Sequence, residues 1–243
     1  MCIAVLAWRS RSEWPLVVAA NRDEFHDRPT APLHRWDDGS GIIAGRDLRS
    51  GGTWLGVSEQ AGRLALITNF RDPGVYLDDA PSRGELVSDW LTGAWHRVED
   101  RLDALPAYNG FSLMLVDGTH GWIVDNRTML EPRAMIPGFY GLSNGAFSDP
   151  WPKVDRLVDG VRGVLDHRAP DEAAFFDLLA MDGPAVEADS EDAPVFIHNK
   201  VYGTRCSTVV ALGHDGRGTI AERRFDPDGK AAGTTRIDLN WRG

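Results

Sequence analysis

The chain has 243 residues, 42% of them hydrophobic, with 26 Lys+Arg against 36 Asp+Glu for a net charge of −10. That composition is ordinary for a soluble globular protein, and the length suits one domain spanning residues 1–243 while leaving room for two small ones. The acidic balance disfavours nucleic acid as a partner, and no apolar run approaches the roughly 18 residues a membrane span needs.

In chain order, the apolar runs 2–8 and 16–20 read as a hairpin across the polar stretch 9–13. Residues 41–44 and 53–57 are further strands, and 63–68 follows a turn at Gly62. A loop containing Asp72-Pro73-Gly74 leads to Ser82 and Glu85, a capping-box pattern that opens a helix with Leu86, Val87, Trp90 and Leu91 on its apolar face. Val98, Leu102 and Leu105 predict a second helical piece ending at Pro106. Residues 111–116 and 121–124 pair across Asp117-Gly118, and 134–136 and 140–143 are short strands. Pro150 starts a helix with Val154, Leu157, Val158, Val161 and Leu165 at helical spacing. Residues 171–181 form another, with Phe175, Leu178 and Leu179 inward, and the acidic stretch 182–192 reads as a solvated, mobile loop. Residues 202–212, 219–225 and 233–239 close the chain as a three-stranded meander. The order strands, helices, strands, helices, strands describes an α+β protein with helices outside antiparallel sheets.

Several residues could carry chemistry. Cys2 opens the first strand, and loss of Met1 would place a thiol and a free α-amino group on one residue, a nucleophile with a built-in base. Asn21-Arg22-Asp23-Glu24 follows the second strand. There Asp23 either accepts hydrogen bonds from an ammonium at residue 2, orients an arginine, or belongs to a turn with a salt bridge. The glycine-flanked stretch 51–56, which contains Trp54, lacks the ending of a phosphate loop and reads equally as a structural turn. Thr68-Asn69-Phe70 and Gly141-Leu142-Ser143-Asn144 end strands. An amide at a strand tip can donate to a developing oxyanion or simply form a turn. Arg205 can fix a carboxylate, lower a thiol pKa or bind an anionic substrate, whereas Cys206 reads as a small packed residue. Cys2 and Cys206 make neither a disulfide framework nor a zinc pattern, and the seven histidines show no metal spacing. The nine tryptophans suit either an aromatic-lined cavity or plain core packing. With no targeting segment at its start, the chain is expected to be cytoplasmic.

Taken in order, Met1-Cys2, residues 21–24, 51–56, Thr68-Asn69, 82–87, Asn109-Gly110-Phe111, 141–144 and 202–207 resemble the NRDE family, also called the transport and Golgi organisation protein 2 family. That family in turn resembles the N-terminal nucleophile hydrolases of the cysteine type, such as choloylglycine hydrolases and penicillin V acylases. The resemblance implies a four-layer αββα sandwich. It matches Cys2 to the nucleophile, Asp23 to the aspartate after the second strand, Asn69 and Asn144 to two asparagines, and Arg205 to a late arginine. One departure is that the acylases carry an arginine where this chain has Ala20, with Arg22 two positions on.

The activity so implied is cleavage of an amide or thioester of a small molecule through an acyl-enzyme on Cys2, with no cofactor or metal. Cys2, Asp23, Asn69, Asn144 and Arg205 would be catalytic; Asn21, Arg22, Trp54 and Phe70 would bind substrate. The same resemblance implies an alternative. Its members are associated with trafficking of haem and lipid-related metabolites, so the chain could instead be a carrier for such a ligand.

Overall fold

The computed structural model describes residues 2–71, 76–129, 131–149, 151–167, 169–183 and 193–241. In chain order, the first part carries β1 (Cys2–Trp8), β2 (Leu16–Phe25), β3 (Thr30–Arg35), β4 (Ile42–Asp47), β5 (Leu55–Ser58), β6 (Arg63–Asn69), helix α1 (Arg83–Thr92) and a 3-10 helix (Val98–Ala107). The rest carries β7 (Phe111–Val116), β8 (Gly121–Asp125), β9 (Arg133–Ala134), β10 (Gly138–Leu142), α2 (Pro152–His167), α3 (Glu172–Leu179), β11 (Tyr202–Leu212), β12 (Arg217–Phe225) and β13 (Ala231–Asn240). The described residues thus form an α+β protein, as the order of apolar runs predicts. The chain divides into two units. One holds residues 1–28, 137–143 and 148–239, the other 29–136, 144–147 and 240–243.

The first unit contains a six-stranded sheet in the order β10-β1-β2-β11-β12-β13. Period-two alternation sends Ile3, Val5, Ala7, Val17, Ala19, Val209 and Ala211 to one face, where they meet Val154, Leu157 and Val161 of α2 and Phe175, Phe176 and Leu179 of α3. The residues between them, including Ala4, Leu6, Val18, Ala20, Val210 and Ile220, are equally buried. Strands covered on both faces read as unbroken apolar runs, which is why 2–8 and 16–20 are legible. Helix α2 approaches β10 so closely that a Cβ on Gly141 would collide with Val154 and Val158. Asp171 caps α3 by accepting the Ala173 N–H at 3.0 Å. In this unit, Pro150 as a helix start and residues 184–192 of the expected acidic loop 182–192 fall outside the described residues.

One boundary differs with consequence. The sequence pattern ends the second strand at residue 20, with 21–24 beyond it, whereas β2 continues to Phe25. Asn21, Arg22 and Asp23 are buried inside it. They remain in the strand because β1 and β11 pair with it on both sides, so that Arg22 stands opposite both Cys2 and Cys206.

The second unit holds the seven-stranded sheet β3-β4-β5-β6-β7-β8-β9. Leu86, Val87, Trp90 and Leu91 of α1 pack on Ala65, Ile67, Leu113 and Leu115 with Trp95 and Val98. Helix α1 lies where the Ser82–Glu85 spacing predicts, but the Ser82 side chain makes no cap hydrogen bond. The Glu85 N–H bonds instead to the Ser82 carbonyl at 3.0 Å. The helix stops at Gly93, whose φ of 81° suits only glycine well. The second helical piece is a 3-10 helix whose Asp100 carboxylate accepts the N–H groups of His96 and Arg97, both at 2.9 Å. Strand β3 carries no apolar run to announce it: it is an edge strand containing Pro32, and its ladder shifts register between Ala31 and His34. Asp72-Pro73-Gly74, expected as a loop, lies outside the described residues. Among the described residues no helix is long and apolar enough to cross a membrane.

Candidate active site

Residues opposite one another on an antiparallel ladder share a face. Cys2, Arg22, Cys206 and Arg224 therefore form one row across β1, β2, β11 and β12, with Ala4, Ala20, Thr208 and Glu222 as the next row. Ala20 and Arg22 thus lie on the same face, and it is Arg22 that stands beside Cys2. The two cysteines flank Arg22 two strands apart, roughly 10 Å at ordinary strand spacing, beyond disulfide reach. Neither is in a disulfide. Arg22 is buried and pairs with Glu24 at 3.5 Å.

Burial pushes the Cys2 thiol above its ordinary range and the Asp23 charge adds to this, while the α-amino charge of the chain start, the Asp23 backbone N–H and Arg22 act in the opposite sense. Burial likewise raises Cys206, and Glu222 beside it adds to the effect. A thiol so placed is not a standing thiolate and needs a base to become a nucleophile. Ser143 ties residue 2 down further, its hydroxyl donating to the Cys2 carbonyl at 3.0 Å.

Asp23 projects to the opposite, helix-covered face, two positions along from Asn21. A register shift between Thr204 and Cys206 makes Arg205 the extra residue of a bulge. The shift turns Thr204 onto the Asp23 face, where its hydroxyl donates to the Asp23 carboxylate at 2.7 Å. The Tyr202 hydroxyl donates to the Asp23 carbonyl at 2.8 Å. Burial pushes the Asp23 carboxyl up to about 6, against the α-amino charge, Thr204, Lys153 and Arg22, which all favour the carboxylate. Its folded pKa therefore exceeds its unfolded one. The stability it contributes is complete below about pH 4 and is lost as pH rises through about 6. A shift of about two pKa units corresponds to about 3 kcal/mol. Asp23→Asn is expected to remove that slope, so that denaturant unfolding at pH 4 and pH 7 differs by about 3 kcal/mol less than in the parent. An unchanged difference would show that Asp23 titrates normally.

Asn21 is held within the protein. Its amide donates to the carbonyls of Leu179 at 2.8 Å and Val195 at 3.0 Å, and accepts from Ser207 at 2.6 Å. Arg205 donates to the carbonyls of Phe25 at 2.8 Å and Arg28 at 3.2 Å, clamping the chain as it leaves β2.

In the second unit, Asn69 and Asn144 are brought together. The Asn144 side-chain amide donates to the Asn69 carbonyl at 2.7 Å, and the Arg71 N–H donates to the Asn144 carbonyl at 2.8 Å. The Phe70 N–H bonds to Gly110 across the ladder. Alternation then turns the Asn69 N–H away from β7. Phe70 crowds Gly110, where a Cβ would lie 2.8 Å from that of Phe70. Trp54 is partly buried against the α1 core. Among the described residues no group of three His, Cys, Asp or Glu side chains could hold a metal ion.

The sequence model of the family Transport and Golgi organisation 2 matches residues 1–227. The bovine Transport and Golgi organization protein 2 homolog is 34% identical over 248 residues, covering 88% of each chain. The human homolog is 33% identical over 252 residues, again 88% of each. The Drosophila melanogaster Transport and Golgi organization protein 2 is 34% identical over 103 residues, 39% of this chain and 36% of its own.

The chain belongs to the Transport and Golgi organisation 2 family. Its ordered motifs, from Met1-Cys2 to the segment 202–207, fall within the stretch that the family model covers. Around them the fold assembles residues that the sequence pattern does not single out. Thr204 bonds Asp23, Ser143 bonds residue 2, Glu222 bonds Cys206, and Lys153 is completely buried on α2. Thr204 and Ser143 lie in segments already marked as motifs. Lys153 and Glu222 announce nothing, since a single charged residue in an amphipathic element normally faces water.

Proposed function

We propose that this protein is an N-terminal cysteine hydrolase that cleaves an amide or thioester of a small molecule through an acyl-enzyme on Cys2. The observation that carries the reading is the setting of residue 2: Arg22 opposite it, the Asp23 N–H on its sulfur, and a carboxyl on Asp23 whose pKa lies near 6. In this reading Met1 is removed. The Cys2 sulfur attacks the substrate carbonyl while its proton passes to the freed α-amino group. The C–N or C–S bond then breaks, the leaving amine or thiol takes that proton, and water releases the acid by the reverse relay. Asp23 orients the resulting ammonium and Arg22 lends positive charge beside the sulfur. Asn69 and Asn144 serve the oxyanion, each donor being worth about 3–4 kcal/mol in such sites. The single-domain αββα sandwich and a cytoplasmic setting belong to the same reading.

Intact mass of active protein, before and after a thiol-directed acyl analogue, tests it. Loss of Met1 and one adduct located on Cys2 are expected. Active protein that keeps Met1 would rule out the α-amino base. The relatives are named for transport and Golgi organization, and the word transport supports a second reading, in which the chain binds and carries a ligand without chemistry; that the ligand is haem or lipid-related is what the family resemblance implies. Stoichiometric binding with no turnover over a panel of acyl amides and thioesters would select it.

A further inference from the structure

Lys153 is fully buried, with 0% of its surface exposed. It sits in the first turn of α2, where the helix dipole disfavours a cation, and its ammonium lies 5.4 Å from the centre of the Trp151 ring. Trp151 and Val154 on either side belong to the core that joins α2 to β1 and β2. A buried ammonium persists only beside compensating charge. Among the described residues of the first unit, the buried acids are Asp23 and Glu222. Glu222 faces the other side of the sheet, in the row of Thr208 and Ala20. Asp23 faces the side that α2 covers, on the same face as Ile3 and Asn21, and the Lys153 charge acts to lower its pKa against the burial that raises it.

We propose that Lys153 is a positioning residue for the Cys2 centre: from α2, on the helix-covered face of the sheet, it holds Asp23 in the carboxylate form. Other groups that act on Asp23 include the α-amino charge of the chain start, the Cys2 thiol from β1, Thr204 from β11, and Arg22 on its own strand. Lys153 acts on it from α2. Its consequence for the hydrolase reading is direct: a protonated Asp23 cannot hold the ammonium that forms when Cys2 gives up its proton. The link between Lys153 and Asp23 stands by itself; the catalytic consequence rests on that reading.

The test is a double-mutant cycle on the full chain with Lys153→Met, Asp23→Asn and both together, joined to carboxyl NMR of Asp23 in the parent and in Lys153→Met. Lys153→Met alone is expected to move the Asp23 titration up by about one pH unit and to shift the acid limb of turnover equally, an activity loss of roughly fivefold at pH 6 that recovers at pH 8. The double variant should be more stable than Lys153→Met, because it no longer buries an uncompensated carboxylate. Lys153→Arg, which keeps the charge, should restore the parent titration. A double variant no more stable than Lys153→Met overturns the proposal, including the case in which neither folds. So does an Asp23 titration untouched by Lys153→Met. Absence of turnover in the parent would instead count against the hydrolase reading and leave the cycle to decide the pairing.

Discussion

Cys2→Ala is expected to lower turnover of an acyl amide or thioester by roughly a thousandfold or more, since the variant has neither nucleophile nor acyl-enzyme. The rest of the centre should survive the change. Ser143 bonds the backbone of residue 2 rather than its side chain, and Ala4 already holds the neighbouring position on the same face of β1. Ligand affinity is therefore expected to change little while turnover falls. Cys2→Ser should also be strongly impaired, because a hydroxyl is far harder to deprotonate than a thiol at the same place. Steady-state rates and equilibrium binding on the same preparations make the measurement. Turnover that Cys2→Ala leaves intact would refute covalent catalysis. Equal binding of haem or an acyl thioester by both forms, with no turnover in either, would favour the carrier.

The second large effect concerns stability. Trp90→Ala is expected to destabilise the second unit by about 3–5 kcal/mol, the usual cost of deleting a large buried aromatic. Trp90 is fully buried, and its ring meets Trp95 and Trp122 edge-on at centroid distances of 6.0 and 5.8 Å. Its indole N–H donates to the Val116 carbonyl at 3.1 Å, tying α1 to β7. The Arg63 guanidinium covers the ring at 4.3 Å while donating to the carbonyls of Trp90 and Trp95 at 2.9 and 2.7 Å, so it also satisfies the carboxyl end of α1. Trp90→Phe keeps most of the apolar contact and loses the N–H bond, for which about 1–3 kcal/mol is expected. Urea unfolding of the three proteins would measure both steps. A loss below about 1 kcal/mol for Trp90→Ala would mean that the three-tryptophan cluster is not a source of cohesion.

These tryptophans also show how far composition could be read. Their number suits a ligand cavity or a packed core, and α1 decides for the core in the case of Trp90 and Trp95. Capping gives a similar lesson. Ser82 and Glu85 locate the start of α1, yet the hydroxyl does not cap it, because a three-residue spacing permits the bond without fixing the rotamer that makes it.

The elements themselves were largely legible from the chain alone. Apolar runs at β1, β2, β6, β7 and β11 and helical spacing in α1, α2 and α3 locate the strands and helices, since burial needs the same periodicity wherever the chain finally packs. Family membership was legible too, because ordered short motifs survive as a linear pattern. The partners around Cys2 were not. That Arg22 rather than Arg205 stands opposite the thiol follows from strand register and from the bulge at Arg205. Lys153, whose charge acts on Asp23, comes from a helix more than a hundred residues away in sequence. Register, bulges and helix-to-sheet packing join residues distant along the chain, and the energy of burying their charges arises only once they are joined.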